Sequence, residues 1–163
     1  MKDIINQLPS KAATQRQSHK LMFKRLKRKP PKDLDGTMQT LHDETFAEIN
    51  CLDCANCCKT TSPLFTDRDI TRIAKFLKLK PRLFIDKYLK EDEDGDLVLK
   101  SSPCPFLFED NKCMIYEVRP KACAEYPHTN RKKFHQISKI TLENMSICPA
   151  AFEIVEKLKA ILK

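Results

Sequence analysis

Residues 51–58 read CLDCANCC, and no other stretch constrains the fold of this 163-residue chain so tightly. The spacing is C-x2-C-x2-C-C. Two residues between thiols let both face one metal from a single tight turn. Cys51, Cys54, Cys57 and Cys58 therefore read as ligands rather than as packing residues. Four more cysteines follow singly: Cys104 in PCPFL, Cys113 in NKCMIY, Cys123 in RPKACAEYP and Cys148 in ICPA. All eight cysteines are candidate metal ligands. Residues 1–15 contain no apolar leader core, and no stretch approaches the length of a membrane span. The expectation is a soluble, cytoplasmic protein with no membrane partner, and in that reducing compartment clustered cysteines favour ligation over disulfides.

The chain has only Gly36 and Gly95 for glycines, which excludes folds built on Gly-rich phosphate loops. Its net charge of +8 is unevenly placed. Residues 1–32 hold ten basic residues and one acid, a net of +9, while the other 131 residues carry a net of −1. The excess therefore belongs to an N-terminal arm. The expected division is a basic helical arm over 1–49 and a cysteine-bearing domain with a C-terminal helix over 50–163.

Helical spacing predicts helices over 10–28 and 37–49, the first ended by Pro30 and Pro31. Thr66 and Asp69 form a capping-box pattern before a stripe of Ile70, Ile73, Ala74 and Leu77. Pro81 suits the first turn of another helix, and a final helix starts at Pro149. Glu91 to Asp94 read as a solvated acidic loop closed by Gly95. Leu97 to Leu99 read as a short strand, and Phe106 to Phe108 with Met114 to Tyr116 as a hairpin. The expected fold class is α+β, mostly α-helical, with a small β-hairpin and a cysteine-ligated metal centre.

Eight thiolates suit two four-coordinate sites, or one with spare ligands. Adjacent Cys57 and Cys58 diverge, so they serve different metals or one is a reserve or redox thiol. Zinc and iron–sulfur clusters both use such sets, and the lean is to iron–sulfur. The C-x2-C-x2-C run is similar to the first part of a bacterial ferredoxin pattern, and Cys104 and Cys148 each precede proline as the remote ferredoxin ligand does. Against it, Thr61 stands where the next ferredoxin cysteine would be. The radical pattern C-x3-C-x2-C is absent.

Taken together, CLDCANCC, LFTDRDITRIAKFL, PCPFL, NKCMIYEVRPKACAEYP and ICP resemble the CxxCxxCC cysteine-cluster family, also called YkgJ-like, a zinc- or iron-chelating domain. The resemblance covers roughly residues 50 to 150 and gives all eight cysteines a place. It implies a metal-chelating domain. A similar cluster occurs in the much longer flagellin lysine methylases.

Arg119 has two readings: hydrogen bonding to a cluster thiolate or bound anion, or a structural pair with Glu117 or Glu125. No Ser, His and Asp set or carboxylate pair stands out, so the enzyme question stays open with a lean toward none. Lys11, Arg16, Lys20, Lys24, Arg25, Lys27, Arg28, Lys29 and Lys32 offer phosphate contacts, or form the solvated face of a helix. The expected function is metal binding, in electron transfer, redox sensing or metal handling, with metal ions and a protein redox partner. The alternatives are a cluster-dependent protein-modifying enzyme and a nucleic-acid-associated protein with structural zinc, binding through residues 11–32.

Overall fold

A computed structural model describes residues 2–162. In chain order the elements are α1 (Lys2–Arg28), α2 (Leu34–Glu48), α3 (Cys51–Cys54), α4 (Asn56–Thr60), α5 (Asp67–Phe76), α6 (Pro81–Tyr88), β1 (Leu89–Glu91), β2 (Leu97–Leu99), α7 (Lys121–Glu125), α8 (Ser138–Asn144) and α9 (Pro149–Ile161). The chain is mostly helical, with one small antiparallel sheet. It divides into two compact units: unit 1 is Met1–Cys54 with Pro127–Lys163, and unit 2 is Ala55–Tyr126.

Unit 1 is built from long helices. Leu8, Ala12, His19, Met22, Phe23 and Leu26 recur at helical spacing along α1 and are its buried side. Met22, Phe23 and Leu26 join Leu34, Met38 and Leu41 of α2 and Ile154, Val155 and Leu158 of α9 in one apolar core. The basic residues of α1 are exposed on its other side. The asymmetry is that of an amphipathic helix packed on a core, so the basic segment is part of a folded unit. This grouping differs from the division at residue 50 expected from composition.

Polar ties fix the helices. Asp35 accepts hydrogen bonds from the backbone N–H of Lys133 (2.7 Å) and of Phe134 (3.1 Å), joining the start of α2 to the turn that buries Phe134. Fully buried His19 pairs with Glu156 of α9. Lys157 of α9 donates to the Thr45 hydroxyl of α2 at 3.2 Å. Helix α1 begins eight residues before the expected start and runs through Pro9, which is exposed and removes one N–H from the ladder without ending the helix.

Unit 2 has shorter pieces. Its core gathers Phe65, Ile70, Ile73, Phe84, Leu89, Leu99, Phe106 and Ile115. Phe84 lies between Phe65, Tyr88 and Phe106, at ring separations of 6.0, 5.3 and 6.2 Å. The sheet pairs Leu89 with Leu99, Lys90 with Val98 and Glu91 with Leu97. Its turn is set by Asp92, whose carboxylate accepts from the N–H of Asp94 and Asp96, and by Gly95 at φ +81.

The hairpin is therefore corrected. The expected strands over 106–108 and 114–116 reduce to a single antiparallel bridge between Leu107 and Cys113, and Tyr116–Val118 forms a 3-10 turn. Leu97–Leu99 is a strand as expected, but its partner, Leu89–Glu91, is not among the expected strands, and Glu91 belongs to it rather than to the acidic loop.

Asp69 is the polar centre of unit 2, with 1% of its surface exposed. The Thr66 hydroxyl accepts from the Asp69 N–H, and the Asp69 carboxylate accepts from the Thr66 N–H (3.0 Å), completing the expected capping box. The same carboxylate accepts from Arg72 (2.7 Å) and from the N–H of Lys121 at the start of α7 (3.1 Å). Arg72 also donates to the carbonyls of Val118 and Arg119. Asp69 and Arg72 thus fasten α5 to the segment between Cys113 and Cys123.

Candidate metal centre

None of the eight cysteines is joined in a disulfide; Cys51 is exposed and the other seven are partly buried. Their local settings follow from the turns that carry them. Cys51 and Cys54 begin and end the single turn α3, opened by the Asn50 side chain accepting from the Leu52 N–H at 3.0 Å. Ala55 then takes a left-handed conformation (φ 48, ψ 21) and is buried, so the chain turns before α4 carries Cys57 and Cys58. A residue with a Cβ is seldom held in this region. It breaks C-x2-C-x2-C-C into two halves.

In unit 2, the Cys58 carbonyl accepts from the Cys104 N–H at 2.9 Å, holding the PCPFL turn beside α4. Cys113 stands on the bridge to Leu107, and Cys123 lies in the short α7. Cys104 and Cys113 pack against the core of unit 2. In unit 1, Cys148 packs against the core and caps α9; its N–H donates to the Asn144 carbonyl at 2.7 Å. Asn144 is in turn tied to the Pro127 carbonyl at 3.1 Å.

The electrostatics differ from thiol to thiol. A hydrogen bond from the Cys57 thiol holds Cys58 down to about 7, against burial and with help from Lys59. Burial pushes Cys104 up to about 11, opposed by the N–H groups of Phe106 and Leu107 and reinforced by Cys58 and Cys113. Burial also raises Cys113, with Cys58 adding and Arg119 opposing. Cys123 is pushed up to about 12 by burial first and then by Cys58, Cys104 and Cys113, again with Arg119 opposing. Burial pushes Cys148 up to about 12, opposed by the N–H groups of Ala151 and Ala150 and reinforced by Cys51 and Cys54.

Arg119 therefore acts on two thiols. Its guanidinium lies over the Tyr116 ring at 3.9 Å and donates to the Tyr116 carbonyl at 2.7 Å. Lys121 is the cation beside Glu125, at 3.6 Å. The basic residues Lys24, Arg25, Lys27 and Arg28 border a shallow depression on α1 together with Leu21. Among the described residues no helix is long and apolar enough to cross a membrane.

Among the described residues, no three Cys, His, Asp or Glu side chains are already posed around one metal position. The donor chemistry nevertheless fits a thiophilic cation. The thiols are unoxidised, grouped and partly buried, and four of them are pushed above their ordinary range by burial, which a bound cation offsets.

A family model, CxxCxxCC, described as "Putative zinc- or iron-chelating domain", matches residues 50–142. An uncharacterized protein of Methanocaldococcus jannaschii is 31% identical over 83 residues, covering 49% of this chain and 44% of that protein. The chain thus spans less than half the length of this relative. No solved structure matches it.

Proposed function

The chain belongs to the CxxCxxCC family, and from that premise we propose that it chelates a metal through Cys51, Cys54, Cys57, Cys58, Cys104, Cys113, Cys123 and Cys148. The observation that carries this reading is the set of cysteines outside any disulfide, seven of them partly buried, whose thiol charges act on one another. Without a cation, several such thiolates together are unfavourable. With one, each proton displaced is replaced by a metal–sulfur bond, and the burial that raised the thiols protects the centre from solvent.

The leaning is to an iron–sulfur cluster over zinc, from the C-x2-C-x2-C run and the Cys-Pro pairs at Cys104 and Cys148. The roles proposed are electron transfer, redox sensing or metal handling. Arg119 damps the negative charge of Cys113 and Cys123 and so tunes the centre.

Anaerobic purification with metal analysis and a visible spectrum tests the proposal. A brown protein containing iron and sulfide is expected. A colourless protein with stoichiometric zinc would keep chelation and reject the cluster. A metal-free protein with its thiols oxidised in pairs would overturn chelation itself.

A further inference from the structure

We infer that the exposed basic side of α1 is a docking surface for double-stranded nucleic acid, which it grips by the phosphates without reading the bases. The inference is independent of the chelation reading.

The helix sets out its cations in a line. Arg16, Lys20, Lys24, Lys27 and Arg28 are all exposed, at i, i+4, i+8, i+11 and i+12. At 3.6 residues per turn they fall within about one third of the helix circumference. The acid of α1, Asp3, lies at its opposite end. Among the described residues none of these five side chains has a hydrogen-bond or ion-pair partner. Like charges one turn apart repel, and nothing in the protein offsets them. The helix dipole favours cations only in the last turn, so it accounts for Lys27 and Arg28 but not for Arg16, Lys20 and Lys24. A polyanion laid along the stripe offsets them all. The stripe is about 18 Å long, from the helical rise per residue. Each strand of a duplex carries one phosphate per about 3.4 Å of its axis, so about five phosphates face the five cations.

The rest of the helix selects among polyanions. Its aromatic residue, Phe23, is buried in the core, so α1 offers no platform on which single-stranded bases could stack. Met22 and Leu26 are in the same core, which leaves no apolar side to enter a lipid surface. Leu21 is exposed beside the stripe, but one such residue does not make the apolar centre of a protein interface. Helix α2 contains no Lys or Arg and exposes Asp43, Glu44 and Glu48, so it repels phosphates and leaves the docking to α1.

Fluorescence anisotropy of the full chain, purified anaerobically, with labelled duplex DNA and duplex RNA of mixed sequence tests this. Both duplexes are expected to bind, with a slope of about −4.5 for DNA in log affinity against log salt concentration. That slope is a loss of roughly 500-fold over a fourfold rise in salt. Lys20→Glu, Lys24→Glu and Lys27→Glu together abolish binding, and Lys24→Ala alone reduces the slope by about 1. Lys75→Glu, Lys80→Glu and Lys90→Glu together change the net charge by the same amount from exposed positions in unit 2, and most of the affinity remains. Circular dichroism verifies the fold of each variant, and Lys24→Ala carries the test if the triple α1 variant fails to fold. No duplex binding, binding insensitive to salt, or equal loss in the two triple variants would overturn the assignment. Binding to only one of the two duplexes would overturn a grip through phosphates alone. Tighter binding to single-stranded DNA, or to vesicles of anionic phospholipid in place of duplex, would give the surface to another polyanion and overturn the inference.

Discussion

Unit 1 is held by helices of 27, 15 and 13 residues, whose apolar stripes meet in one core. Unit 2 has helices of ten residues or fewer and two three-residue strands; of its five thiols, Cys57 and Cys58 lie in α4, Cys123 in α7, and Cys104 and Cys113 on irregular backbone. The first can be stable by burial alone, since each large apolar side chain removed from water contributes about 2 kcal/mol. The second places its cysteines on five-residue helices and on turns, with no long element to hold them. It relies on point ties instead: the Asp69 network, the Cys104 to Cys58 backbone bond and the Phe84 aromatic group. The contrast teaches that a bound metal would matter more to the order of unit 2 than to that of unit 1.

The strongest way to break the contrast is metal removal. Thiolate-bound structural metal contributes on the order of 10 kcal/mol to small domains. Stripping with a chelator is expected to abolish amide-exchange protection in residues 97–123, while α1, α2 and α9 keep theirs. Equal loss in both units would refute the contrast.

A smaller effect comes from the cores. Phe84→Ala leaves a cavity among Phe65, Tyr88 and Phe106 and is expected to cost about 4 kcal/mol. The cost should appear as increased proteolysis within unit 2. Ile154→Ala, fully buried in the other core, should cost about 3 kcal/mol and leave the unit 2 cleavage pattern unchanged.

The smallest is Asp69→Asn, at about 2 kcal/mol, because four donors lose a charged acceptor. Burial pushes the Asp69 carboxyl up, but the hydrogen bonds from Thr66, Arg72 and Lys121 outweigh it and hold the group below the ordinary value of 3.8. A depressed carboxyl stabilises the folded state above the unfolded value and loses that contribution as pH falls through the folded one. The advantage of the parent protein over Asp69→Asn should therefore be full at neutral pH and shrink below about pH 4. Denaturant melts from acid to neutral pH measure it; a difference independent of pH would remove Asp69 from this role.

The capping box at Thr66 and Asp69, the Pro81 and Pro149 helix starts and the 97–99 strand were all legible, because each is signalled by local chemistry. The strand at Leu89–Glu91 was not, since Lys90 and Glu91 look like loop residues and only pairing with Val98 and Leu97 makes them a strand. The 106–116 hairpin failed for the opposite reason. Its apolar residues are there to fill the core with Phe106 and Ile115, not to pair along a ladder. Of the candidate centre, the clustering of cysteines along the chain was legible and the turns that carry them were not. The turn inside the cysteine run is made by Ala55, and an alanine gives no signal of a left-handed conformation. Asp69 read as a cap, but its bond to Lys121, 52 residues on, is a tertiary fact.

Because unit 2 is a continuous segment inserted between the two parts of unit 1, the ribosome finishes them in a fixed order. Cys58, Cys104, Cys113 and Cys123 have all emerged before Cys148 and α9 exist. The apolar core of unit 1 thus closes only when α9 arrives, after every residue of unit 2 has been made.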